Sequence, residues 1–160
     1  MTKDELIKKF RQILEEVPQA LLATVTEDGY PAMRYMTPSM VRGRDDALYA
    51  VTAARFPKVK DLTVHPQVSW MLTSPKTREI FSFRGTITLI EDPRFKSELL
   101  EEIGRGLETF WRLNDDPSDL VCLETRLTSG EYFNPKTAEK VQVEFERNDK
   151  EKRNASHQGL

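Results

Sequence analysis

Between Lys3 and Val17 the apolar residues Leu6, Ile7, Phe10, Ile13, Leu14 and Val17 recur at the spacing of one helix face, with charged residues between them. Thr2-x-x-Glu5 at the front reads as a capping box, in which each side chain satisfies the other residue's backbone N–H. Pro18 stops the run. The pattern predicts an amphipathic helix from Lys3 to Val17 whose apolar face must cover another layer, most simply a sheet.

The period then changes. Leu21 to Thr26 is β-rich and ends in Glu27-Asp28-Gly29, a turn in which Gly29 can take positive φ. Tyr30 to Val41 continues as a second strand, with Pro31 and Pro38 best placed at edges or bulges. A turn over Arg42 to Asp46 leads to a third strand, Leu48 to Thr52. Short turns between three strands predict an antiparallel meander. A short helix follows, with Pro57 at its first position, Lys58, Val59 and Leu62 within it, and Pro66 closing it. Val68 to Thr73 reads as a fourth strand.

Glu79 to Ile90 reads as a long fifth strand, in which Phe81, Phe83, Gly85, Ile87 and Leu89 alternate with Ile80, Ser82, Arg84, Thr86 and Thr88. Large side chains on both of its faces leave it open to burial on both sides. Asp92-Pro93 starts another helix, with Phe95, Leu99, Leu100 and Ile103 inside, ending at Gly104 and Gly106. Glu108 to Leu113 can form one further turn, and 114–118 a loop. Leu120 to Leu127 reads as a sixth strand. Tyr132 and Phe133 lead through a turn at Asn134 to Thr137 into a last strand, Lys140 to Glu146. From Asn148 on the chain is polar, and disorder is expected. The expected architecture is mainly β with helices (α+β): a small antiparallel barrel in one domain over 1–147, followed by a tail over 148–160.

Composition changes the picture by removing chemistries. The 160 residues suit one domain, and 24 Lys+Arg against 26 Asp+Glu give a net charge of -2. That balance speaks against a dedicated duplex-DNA binder. No apolar run approaches the ~18 residues of a membrane span. The start, MTKDELIKKF, lacks the apolar core of a signal peptide, so a cytoplasmic location is expected. Two histidines, His65 and His157, and one cysteine, Cys122, are too few for a Cys/His zinc site and allow no internal disulfide. The chemistry left open is that of a borrowed cofactor.

The stretch Thr52-Ala53-Ala54-Arg55-Phe56-Pro57-Lys58-Val59-Lys60 carries the main candidate site. A strand runs through a short loop into a helix start rich in cations. Cations there oppose the helix dipole unless an anion joins them. Arg34, on a neighbouring strand, can add a second charge in fork geometry. The same cations would also serve as solvated surface charge. Elsewhere His65 most simply caps helix carbonyls, Trp70 and Trp111 suit core packing or a stacked ligand, and Cys122 reads as buried and inert. Asp115, Asp116 and Asp119 lack calcium-loop spacing, and Lys136 and Lys140 read as ordinary surface charge.

Ala-x-x-Ala-Thr-Val-x-x-Asp-Gly-x-Pro at 20–31, an Arg three residues on, Tyr-Ala-Val-Thr at 49–52, Pro-Lys-Val at 57–59 and His-Pro-x-Val-Ser at 65–69 occur in this order. Together they resemble the pyridoxamine 5'-phosphate oxidase-related, FMN-binding split-barrel family, and within it the general-stress-protein 26 type. The resemblance spans roughly Leu14 to Tyr132. It implies a six-stranded antiparallel split β-barrel of Greek-key type with flanking helices. It also implies a homodimer holding FMN in two interfacial clefts. Arg34 and Lys58 would hold the FMN phosphate, and backbone around Tyr35, Met36, Val51 and Thr52 would edge the isoalloxazine ring.

Three departures stand out. Phe56 replaces a common serine, Pro57 precedes the lysine where true oxidases have arginine, and Thr128 to Tyr132 replaces their Arg-x-His signature. The resemblance therefore implies a flavin-dependent oxidoreductase of an unidentified small molecule, with a donor such as NAD(P)H, rather than a pyridoxamine phosphate oxidase. No residue stands out as a general acid or base, and neither metal, nucleic acid nor membrane is expected as a partner. Two other readings are a non-catalytic flavin or haem module of the same fold and an oligonucleotide-binding barrel.

Overall fold

Helix α1 (Lys3–Glu16) begins with the predicted capping box: the Glu5 N–H donates to Thr2 Oγ1 at 3.2 Å and the Thr2 N–H to Glu5 Oε2 at 3.1 Å. It ends at Val17, whose N–H still reaches the Ile13 carbonyl at 2.8 Å. Leu6, Ile7, Phe10 and Ile13 are buried on its inner face. The computed structural model describes residues 1–54, 57–103 and 120–145. Arg55, Phe56, the turn over 108–113 with Trp111, the acidic loop with Asp115, Asp116 and Asp119, and the tail with His157 lie outside the described residues.

The layer beneath α1 is a seven-stranded antiparallel sheet, with strands β1 (Ala20–Val25), β2 (Pro31–Met36), β3 (Ala47–Ala53), β4 (Gln67–Thr73), β5 (Ile80–Ile90), β6 (Leu120–Asn134) and β7 (Glu139–Glu144). Helix α2 (Pro57–Val64) joins β3 to β4, and α3 (Pro93–Ile103) follows β5. Six strands form the path β2-β1-β4-β5-β6-β3, and the seventh, β7, pairs only β6. The predicted α+β class and its antiparallel sheet hold; the last strand read from the sequence forms β7, making seven strands rather than the six the resemblance implies, and the sheet is not closed.

The predicted meander of the first three strands does not form. β3 pairs along its length with β6, from Ala47↔Arg126 to Ala53↔Leu120. Burial explains the choice: all seven residues of β3 are buried, so it needs cover on both faces. Its inner face joins the main core and its outer face packs under α3. β2 also ends at Met36 rather than Val41. Pro38 has no N–H with which to continue a ladder, and beyond it only one bridge forms, with Ser39 and Tyr49 exchanging two backbone hydrogen bonds of 2.7 and 2.8 Å.

β5 is one-sided: Phe81, Phe83, Gly85 and Ile87 are buried while Arg84, Thr86 and Thr88 are exposed. Its pairing with β6 shifts register between Arg84 and Gly85. A Cβ at Gly85 would lie 2.2 Å from the Arg126 carbonyl oxygen, so glycine permits this close crossing. β6 runs unbroken through the stretch read as two pieces, because its first half pairs β3 and its second half β7, with β5 alongside. Inside, Phe10 lies 4.6 Å from Phe83 and 5.7 Å from Phe81 between ring centroids. Trp70 is a core residue whose indole N–H donates to Thr125 Oγ1 at 3.0 Å. A second cluster, with Tyr49, Leu99 and Cys122, packs under α3. Burial pushes the Cys122 thiol up, in keeping with an inert core cysteine.

One buried polar group ties α1 to the sheet. Glu79, 5% exposed, accepts hydrogen bonds from Tyr132 and Thr77 and pairs with Lys9. Burial pulls its carboxyl up, but the bonds from Lys9, Thr77 and Tyr132 outweigh this and hold it below its ordinary value of 4.5. A carboxylate depressed in the folded state stabilises the fold above the unfolded value, and that contribution fades as pH falls below it. Glu79→Gln is expected to cost about 1–3 kcal/mol at neutral pH. It should also flatten the acid limb of the stability curve, which urea midpoints from about pH 3 to about pH 7 would measure.

Candidate functional site

Alternation along β2 sorts its side chains. Pro31, Met33 and Tyr35 are exposed, whereas Ala32, Arg34 and Met36 are half-buried. Arg34 pairs with Leu22 of β1, and its guanidinium donates to the buried Thr24 Oγ1, two residues along, at 2.9 Å. The hairpin thus fixes the arginine fork on the inner side of the sheet.

Lys58 comes from a different part of the chain. α2 seats Val59 and Leu62 in the interior and packs chiefly against β1. Its exposed side is tied to the β1–β2 turn, where the Glu27 N–H donates to Asp61 Oδ1 at 2.9 Å and the Glu27 carboxylate meets Lys60 Nζ at 3.3 Å. These anchors bring the half-buried Lys58 ammonium under the influence of Arg34. Burial, and then the Arg34 charge, lower Lys58 from 10.5 to about 8. Arg34 is itself lowered by burial, with the Asp61 carboxylate opposing that. The first turn of α2 holds no acidic side chain. Two like charges held together out of bulk water favour an anion beside them, and a phosphate fits a fork and a point charge of this kind.

The four residues expected along a ring edge fall on the two edges of the sheet. Tyr35 and Met36 lie on β2, and Val51 and Thr52 on β3. Tyr35 is 72% exposed, Met36 packs against the core, and Val51 and Thr52 are buried. Continued past the Ser39–Tyr49 bridge, the antiparallel register would set Val51 opposite Thr37 and Thr52 opposite Met36. Among the described residues no ladder forms there, so the strands border a seam. An edge strand directs half of its backbone N–H and C=O groups away from its neighbour, which lines such a seam with donors and acceptors.

Sequence reasoning found the two cations and missed Thr24, Asp61 and Glu27. Asp61 had a readable signal, since it stands three residues after Lys58 on the same short helix. Thr24 had none beyond its place in a strand. His65 continues α2, its N–H reaching the Asp61 carbonyl at 2.8 Å. Lys140 pairs with Glu131 at 3.7 Å, on the sheet surface. Among the described residues no group of three or more His, Cys, Asp or Glu side chains could hold a metal ion, and no helix is long and apolar enough to cross a membrane.

The state of Lys58 sets two opposite pH trends. Below about 8 both cations are charged, so affinity for inorganic phosphate is expected to fall as pH rises through about 8. The folded state disfavours the charged lysine, so the empty protein should gain stability from about 8 towards 10.5. Lys58→Arg, charged throughout, should flatten both trends. Phosphate titrations followed by amide NMR, with melting curves over the same pH range, would measure them.

The sequence profile of the family described as pyridoxamine 5'-phosphate oxidase matches residues 6–131. Comparison with curated proteins finds no significant match. Among solved structures, the chain is similar to a Clostridium acetobutylicum protein related to general stress protein 26, of the pyridoxinephosphate oxidase family. Identity is 17%, TM-score 0.72, and coverage 90% of this chain and 97% of that one. It is also similar to a pyridoxamine 5'-phosphate oxidase-related, FMN-binding protein from Nostoc punctiforme, at 14% identity and TM-score 0.62, covering 92% and 100%. A third likeness is to the haem storage protein of Vibrio cholerae, at 20% identity and TM-score 0.62, covering 79% and 91%. At these identities the likeness is one of fold.

Proposed function

This chain belongs to the pyridoxamine 5'-phosphate oxidase family, and we propose that it binds FMN as a flavin-dependent oxidoreductase acting on a small molecule, with a donor such as NAD(P)H. The observation that carries the reading is the Arg34–Lys58 pair, two half-buried cations from separate elements near enough that the Arg34 charge lowers Lys58. FMN fits this seat and the seam beside it. Arg34 and Lys58 would take the phosphate, and backbone at Tyr35, Met36, Val51 and Thr52 would face the polar edge of the ring. When bound, FMN supplies the hydride or electron transfer that the side chains here do not. The protein's part is to grip, orient and exclude water.

The seam opens beside an apolar outer surface. Tyr35, Leu21 and Met71 stand in one cross-strand row, with Met33 and Ala23 in the next. Tyr35 and Met33 are 72% and 70% exposed, and Tyr30 lies nearby on the same hairpin, also exposed. A contiguous apolar surface of this kind suits a second copy of the chain. A homodimer with the cofactor at its interface accounts for that exposure.

A second reading has support in the likeness to a haem storage protein: haem propionates are anions that the same two cations would take. The visible spectrum separates the two. Flavin bands after FMN addition, a melting temperature that rises with FMN and NAD(P)H oxidation above that of free flavin are expected; a Soret band with haem and no response to FMN would favour the storage module. Arg34→Ala with Lys58→Ala should abolish FMN retention while leaving the circular dichroism unchanged. Normal flavin occupancy in that variant would show that the phosphate sits elsewhere. Tyr35→Glu with Met33→Glu is expected to shift the protein to monomer in sedimentation and to weaken FMN binding with it.

A further inference from the structure

We propose that the outer face of the sheet over β5, β6 and β7 carries a binding groove for a small zwitterion of the α-amino-acid class, with Arg84 taking the carboxylate and Glu144 the ammonium. The groove lies on the face turned away from α1, and it does not depend on the flavin reading.

Alternation and register build the groove. Phe81 and Phe83 point inward to Phe10, so Ser82 and Arg84 face out. Pairing then sets Ser82, Glu131 and Gln142 in one cross-strand row, and Arg84, Ser129 and Glu144 in the next. Short serines beside long side chains leave a hollow of about 340 Å³, a size that small-molecule sites share. At its edge the β5–β6 register shifts between Arg84 and Gly85. Thr128 Oγ1 donates to the Arg84 carbonyl at 3.1 Å there, which holds the backbone that carries the arginine.

The partners of the lining groups decide the ligand. Glu131 is already answered, since Gln142 Nε2 donates to its Oε2 at 3.0 Å and Lys140 Nζ lies 3.7 Å from its Oε1. Among the described residues, neither the Arg84 guanidinium nor the Glu144 carboxylate makes a hydrogen bond or ion pair, and the Ser82 and Ser129 hydroxyls make no hydrogen bond. One uncommitted charge of each sign therefore flanks Ser129, with the two Cα atoms separated by two strand spacings, about 9–10 Å.

That arrangement selects against three simpler classes. A dianion would meet Glu144 and Glu131 as like charges, a diamine would meet Arg84, and a neutral sugar would offset neither charge. A zwitterion satisfies both. The guanidinium fork grips its carboxylate, Glu144 accepts from its ammonium, and the two serine hydroxyls remain for a polar side chain.

Titration of the full-length protein with L-glutamine, followed by amide NMR, tests the site. Saturating shifts at Ser82, Arg84, Ser129 and Glu144 are expected, with a Kd on the order of 1 mM for so open a groove. Glutarate, putrescine and glucose, each lacking one or both charges, should bind about tenfold more weakly or not at all. Arg84→Gln and Glu144→Gln, both at exposed positions, should each weaken L-glutamine binding about three- to tenfold and leave the melting temperature unchanged. Ser129→Leu should abolish binding by filling the hollow, with an unchanged circular dichroism spectrum. The proposal is overturned if neither L-glutamine nor L-serine shifts these amides, if glutarate binds as well as L-glutamine, or if both charge variants bind like the wild type.

Discussion

Among the described residues the two edge strands, β2 and β3, each leave one side of their backbone without a ladder, and the candidate site is arranged about that seam. Unpaired strand edges are exposed polar rows that proteins usually cover or blunt. Here one bridge at Ser39 and Tyr49 pins the ends together, and the strands beyond it are held by other partners, β2 by β1 and β3 by β6. Because β3 is buried on both faces, sliding it across to β2 would strip the cover that α3 gives it. The seam persists because closing it would cost the second core.

Around that seam the charges are arranged against their own preference. Burial disfavours both Lys58 and Arg34 as charged groups, and the Arg34 charge disfavours the charged Lys58 further, yet packing of α2 and the β1–β2 hairpin holds them near each other. Apolar anchors such as Val59 and Leu62 are worth on the order of 1.5–3 kcal/mol each when fully buried, enough to hold a partly exposed like-charge pair in place. Thr24 and Asp61 soften the arrangement, one by accepting from the arginine and the other by opposing its charge. Contrast Glu79 at the start of β5, where Lys9, Thr77 and Tyr132 satisfy a buried carboxylate with opposite charge and donors. That cluster is internally balanced and reads as structural. At the candidate site, by contrast, burial lowers both cations, and the Arg34 charge lowers Lys58 further.

The elements themselves were legible because their signals are local. The capping box at Thr2 and Glu5, the alternation of Phe81, Phe83, Gly85 and Ile87, and the proline starts of α2 and α3 each depend on residues within a turn or a strand of one another. Arg34 and Lys58 were legible as well, through the order of short motifs around them. The pairing of β3 was not, since Leu48 to Thr52 is an apolar stretch that any neighbour could have matched. Nor was the continuity of β6, read as ending at Leu127, since only the fold shows Phe83 packed against Gly130.

Sequence by itself thus determined an antiparallel α+β domain, its helix faces and the two cations of the candidate site. Tertiary structure alone decided that β3 lies beside β6, that β2 and β3 border a seam, and that Asp61 and Thr24 stand next to the arginine. The physical reason is range. Capping, alternation and turn preference are set by neighbours in the chain, whereas strand partnership and the meeting of Arg34 with Lys58 are set by which faces can be covered at once. That condition is settled only when the whole core packs.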